Sequence, residues 1–101
     1  MFQNRNDGML AVLEINIQGI FGNKYLKESF DLDLKRNVSI RDVLSKIDRR
    51  LKMNFFKKNL KKLPEGVVVL VNGQPIESSS GRGISVGNGD QISILRVIAG
   101  G

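Results

Sequence analysis

The sequence predicts an α+β domain in which one main helix covers one face of a single sheet. Three observations carry that expectation. Apolar residues alternate with polar ones around residues 9–19, 26–34 and 90–97, and a β-branched run fills 67–71. One stretch alone, Ile40 to Leu51, places its apolar residues at helical spacing. The resulting order, β-β-α-β-β, contains no internal repeat and no second apolar block that could make another core.

The chain has 101 residues, 41% of them hydrophobic and 26% charged, within the range of a single folded domain. A chain of this length buries roughly 60 to 70% of its unfolded surface, enough for one small core. It has no Cys and no His, which removes thiol nucleophiles, disulfides, Cys/His zinc sites and imidazole acid–base catalysis. Residues 1–8 lack the apolar segment of a signal peptide, and no stretch reaches the ~18 apolar residues of a membrane span. A cytoplasmic location is expected. The net charge of +6 is local: Arg49, Arg50, Lys52, Lys57, Lys58, Lys61 and Lys62 fall in fourteen residues without an acid.

Residues 1–8 read as a polar, disordered leader and 9–96 as the domain. In the first strand, Met9 to Gly19, Leu13, Ile15 and Ile17 alternate with Glu14, Asn16 and Gln18. Ile20 to Lys24 reads as a short connection with its turn at Gly22-Asn23. Leu26, Phe30, Leu32 and Leu34 then form the apolar face of a second strand, interrupted by Glu28. So short a connection predicts an antiparallel hairpin. Ser39 is placed to cap the helix, with Asp42 three residues on and Val38 and Val43 as a hydrophobic staple. Ile40, Val43, Leu44, Ile47 and Leu51 make the buried stripe, and Arg41, Ser45, Lys46, Asp48, Arg49 and Lys52 the solvent face.

Beyond Met53, Phe56, Leu60 and Leu63 suggest a second short amphipathic turn, ended by Pro64-Glu-Gly66. Val67 to Val71 is the third strand. Asn72-Gly73 is a strong turn signal, and Pro75 confines the return, Gln74 to Glu77, to a sheet edge. Residues 78–89 form a loop with Ile84 and Val86 as anchors to the core, and Gly89-Asp90 turns the chain into the last strand. There Ile92 and Ile94 share one face, and Leu95 and Val97 the other. With one helix available, Val68, Leu70, Leu95 and Val97 fall on the uncovered face, where apolar area can mark a partner site.

The chain then runs into Val97-Ile-Ala-Gly-Gly101, which reads as a flexible tail, since glycine offers no side chain to pack. With Ile20-Phe-Gly22, Val38-Ser-Ile-Arg-Asp-Val-Leu44, Leu70-Val-Asn-Gly-Gln-Pro-Ile76 and Gly89-Asp-Gln-Ile-Ser-Ile94, this tail resembles the small ubiquitin-like β-grasp sulfur carriers, the ThiS and MoaD proteins. The resemblance runs from about Leu10 to Gly101. It implies a mixed sheet of four to five strands with the first and last parallel and adjacent at its centre. The body, above all the start of the helix, is similar to the small subunit of molybdopterin synthase. The tail Arg96-Val-Ile-Ala-Gly-Gly is similar to the thiamine sulfur carrier and lacks the two prolines usual before the tail in the molybdopterin branch.

The resemblance further implies that the chain is a co-substrate and not an enzyme. The Gly101 carboxylate would be adenylated by an E1-like partner of the ThiF or MoeB type, which uses ATP and Mg²⁺, and sulfur would displace AMP to leave a thiocarboxylate. The carrier itself would bind no cofactor or metal. A thiazole synthase or the large subunit of molybdopterin synthase would take the sulfur. Gly100 and Gly101, without Cβ atoms, suit a narrow channel. Val97 to Gly101 spans roughly 17 Å when extended. Val97 and Ile98 would be side-chain anchors, Ala99 a small spacer, and Leu95 part of the docking surface.

The same tail would serve a ubiquitin-like modifier joined to lysines through Gly101. A nucleic-acid-binding module using Arg49 to Lys62 ranks below both, since aromatic content is only 6% and no recognition motif is present. Phe55 and Phe56 read as packing residues, and Asp90 as a turn residue. Gly81-Arg-Gly83 and Gly87-Asn-Gly89 lack the Gly-Lys-Ser/Thr of a phosphate loop.

Overall fold

The computed structural model describes residues 11–57, 63–76 and 84–96. β1 (Leu13–Phe21) and β2 (Lys24–Leu32) form the expected antiparallel hairpin. The alternation continues through Ile20 and Phe21, so these residues belong to the strand and not to the connection. The turn shrinks to Gly22-Asn23, where Gly22 takes the positive φ (+71°) that suits the twist of a two-residue hairpin. β2 ends at Leu32, short of Leu34.

Two short pieces follow that sequence periodicity does not show. β3 (Val38–Ser39) pairs with β6 (Ser85–Val86), and the Ile40 amide donates to the Ile84 carbonyl at 3.0 Å. The pairing buries Val86 but leaves Ile84 44% exposed. Ile84 is therefore not the core anchor its composition suggests: it lies just before β6, and of the two residues Val86 alone is in the core.

α1 (Ile40–Leu51) starts as predicted, with the Asp42 amide donating to Ser39 Oγ at 3.2 Å. Its last turn closes through Lys52 in the left-handed conformation (φ 56°), and the Met53 amide donates to the Asp48 carbonyl at 2.9 Å. Ile40, Val43, Leu44 and Ile47 are completely buried. They pack on the sheet residues Leu13, Ile15, Ile17, Val69, Ile92 and Ile94, and Leu26, Phe56, Leu63 and Val86 close the edges of that core. Burying one such aliphatic side chain stabilises the fold by about 1.5–3 kcal/mol, so this single layer supplies the main driving force.

β4 (Val67–Val71) turns back at Asn72-Gly73, both with positive φ (52° and 85°), into the edge strand β5 (Gln74–Pro75). β7 (Gln91–Arg96) runs between β1 and β4, parallel to the first and antiparallel to the second. The sheet order is β2-β1-β7-β4-β5, with the parallel β1–β7 pair inside it. A mixed five-stranded sheet grasping one helix in this order is the ubiquitin-like β-grasp fold.

Candidate functional site

β7 is the element that would present the tail. Its helix-side residues Ile92 and Ile94 are fully buried, and hydrogen-bonded strands flank it on both sides, so its end is held by the core. On the uncovered face Leu95 is 37% exposed and pairs in register with Val68, 36% exposed, on β4. Gln18 of β1 lies on its other side. Of the residues singled out in the sequence, Leu95 is described; Val97, Ile98, Ala99, Gly100 and Gly101 lie outside the described residues.

The apolar area extends beyond what the sequence suggested. Ile20, 42% exposed, and Tyr25, 62% exposed, are register partners on the same uncovered face and at the same end of the sheet as Leu95. Neither was expected there, because Ile20 reads as loop when the strand is ended at Gly19. Counting the alternation two residues further would have placed both. Four of the five exposed large hydrophobics thus gather on one face around the end of β7.

Arg96 ends β7, on the helix side of the sheet. Its guanidinium lies over the Phe55 ring, 5.5 Å from the centroid, and Nη1 donates to the Ile20 carbonyl at 3.3 Å. Phe55 meets Phe21 and Phe56 edge-on, with centroids 5.4 and 5.1 Å apart. Beside it the β1–β2 turn and the segment after α1 enclose a groove of about 330 Å³, floored by Phe21, Met53 and Phe55 and rimmed by Lys24 and Lys52.

Asp48 holds this corner together. Helical periodicity puts it on the solvent face, yet it is only 1% exposed. The chain after α1 folds back over it: the Phe55 and Phe56 amides donate to Oδ1 at 3.3 and 3.1 Å, and the Lys57 amide to Oδ2 at 2.7 Å. A carboxylate three times hydrogen-bonded tolerates burial, and it fixes the two phenylalanines that the sequence assigns to packing. Asp90 is the turn residue expected, accepting from the Gly87 amide at 2.9 Å and from Asn72 Nδ2 at 3.0 Å.

The described part of the basic block, Arg49, Arg50, Lys52 and Lys57, is exposed on and after α1, away from the uncovered face. Arg50 lies 4.5 Å over the Phe30 ring. Among the described residues no three His, Cys, Asp or Glu side chains come together as a metal site would require, and no helix is long and apolar enough to cross a membrane.

Fold and site together define a small ubiquitin-like protein whose last strand is framed by an apolar sheet face. The sequence matches the ThiS family over residues 20–101, and the chain belongs to that family. No curated protein matches it by sequence. Among solved structures it is similar to SAMP1 from Haloferax volcanii, with 16% identity and a TM-score of 0.65 over 89% of this chain and 99% of that one. The Haloferax volcanii HVO 2177 protein matches at 21% identity and a TM-score of 0.63, over 90% and 87% of the two chains. A chain of the BexX/CysO complex from Amycolatopsis orientalis matches at 22% and 0.59, over 88% and 99%. These likenesses carry the fold.

Proposed function

We propose that the protein is a sulfur carrier whose Gly101 carboxylate is activated as an acyl-adenylate and then converted to a thiocarboxylate. Membership of the ThiS family, matched through Gly100-Gly101, carries this assignment. The carboxylate attacks the α-phosphate of ATP on an E1-like partner, which supplies Mg²⁺ and releases pyrophosphate, and a sulfur nucleophile then displaces AMP. The carrier contributes the acyl group and its placement. Leu95, with Val97 and Ile98, docks on the partner, and Ala99, Gly100 and Gly101 enter its active site. The sulfur is delivered to thiamine-thiazole or molybdopterin synthesis.

Exposed Leu95, Val68, Ile20 and Tyr25 support a docking face, because apolar side chains gathered on one sheet face around the strand end are what a partner surface can cover. The test is intact-mass measurement after incubation with the native adenylating partner, ATP and a sulfur donor. Replacement of one oxygen by sulfur at Gly101 is expected, and an unchanged mass would refute the assignment.

A further inference from the structure

Arg96 is the last described residue before the tail, and its surroundings are more ordered than a strand end requires. The guanidinium is held from two directions, by the face of Phe55 at 5.5 Å and by the Ile20 carbonyl at 3.3 Å. Phe55 is itself fixed, through its own amide and that of Phe56 on Asp48 and through edge contacts with Phe21 and Phe56. On β1, Gly19 lies directly against Arg96: a Cβ there would stand 2.9 Å from Arg96 Cβ and 3.0 Å from its backbone N and O. Gly19 also has φ +136°, which side-chain-bearing residues rarely adopt. Two independent features therefore serve one contact: a glycine that lets Arg96 approach, and an aromatic face that receives its side chain.

We propose that Arg96 is a positioning residue that holds the end of β7, the point from which the chain continues to Gly101, with Phe55 as its platform and Gly19 as the clearance that admits it. This role rests on Gly101 being the reacting group. A carboxylate oxygen must meet the α-phosphorus in line with the departing pyrophosphate, and a misplacement of about 1 Å can cost on the order of 100-fold in rate. Docking through Leu95 and Val68 does not by itself fix the tail. A guanidinium anchored to β1 and to the segment after α1 holds the strand end that carries it, because rotation of that end about its axis would break both contacts.

The test uses Arg96→Ala, Phe55→Leu and the double variant in two assays. In ATP–pyrophosphate exchange with the adenylating partner, each single variant lowers kcat about tenfold with KM nearly unchanged, since docking is retained and only placement is lost. The double variant is no worse than either single one, because both remove the same contact. Independently of any partner, the ¹⁵N heteronuclear NOE of Leu95 and of residue 96 falls in both single variants while core amides keep their shifts. Phe55→Leu leaves every charge in place, so a wild-type kcat in that variant would mean that Arg96 acts by touching the partner, and would overturn the proposal. Unchanged NOEs in both variants would overturn it as well. If wild-type protein supports no exchange, the thiocarboxylate assignment falls, and the NOE comparison alone decides whether Arg96 orders the strand end. Should Arg96→Ala fail to fold, Phe55→Leu carries both assays.

Discussion

Replacing Asp48 tests how the corner beside the end of β7 is built. Its carboxylate receives three backbone amides at 3.3, 3.1 and 2.7 Å, and a hydrogen bond to a charged acceptor contributes about 1.5–3 kcal/mol. The three do not add in full. The Phe55 bond is long, the Phe55 and Lys57 sites are only part-buried, so water can replace the carboxylate there, and removing a buried charge recovers some desolvation. The Phe56 amide is buried and would be stranded. Asp48→Ala is therefore expected to cost about 3 kcal/mol, the sum of one stranded donor and one lost short bond. Asp48→Asn keeps an oxygen for Phe55 and Phe56 but turns an NH₂ toward the Lys57 amide, so about 1.5–2 kcal/mol is expected. With a Tm shift of about 4–8 °C per kcal/mol for a domain of this size, the alanine variant melts about 12–24 °C lower. Urea denaturation followed by circular dichroism gives the free energies, and amide exchange at Phe56 reports the local opening. A loss below about 0.5 kcal/mol for Asp48→Ala, the range of ordinary surface substitutions, would refute the buried-acceptor account.

Two further outcomes are expected. Leu95→Asp, or Val68→Asp beside it, should raise the KM for the adenylating partner about tenfold or more with kcat little changed, and shift stability by less than about 1 kcal/mol, because both side chains are already more than one-third exposed; steady-state kinetics and a melting curve check the pair. Asn72→Ala should cost about 2–3 kcal/mol, since it removes bonds to Asp90 Oδ1 (3.0 Å) and from the Gln91 amide (2.8 Å) and leaves a Cβ residue at φ 52°. Asn72→Gly, which relieves the backbone but not the bonds, should recover about 1 kcal/mol of that in equilibrium unfolding.

Much of the fold was legible because period decides face. Leu13, Ile15 and Ile17, the Ile40–Ile47 stripe and Ile92 with Ile94 are buried as their spacing requires, and Ser39 and Asn72-Gly73 stand at the cap and turn their chemistry suits. The misplacements have different causes, the first being that period reports on an element and not on what folds back over it. Asp48 is polar and lies off the apolar stripe, yet residues 55–57 return to bury it. Ile84 is apolar but exposed, since it lies just before β6, outside the two-residue pairing with β3 that includes the buried Val86. Ile20 and Tyr25 were hidden by ending a strand two residues early.

The amino-acid sequence by itself determined the element order, the helix cap, the hairpin turns and the Gly100-Gly101 motif, since each depends on residues within a few positions of one another. It also placed Leu95 on the uncovered face, by alternation alone. Only the tertiary structure showed that the paired strands bring Ile20, Tyr25, Val68 and Leu95 from three stretches of chain onto one surface. It likewise decided that Gly19 and Phe55 both meet Arg96, since contacts between residues this far apart in the chain leave no local pattern from which they could be read.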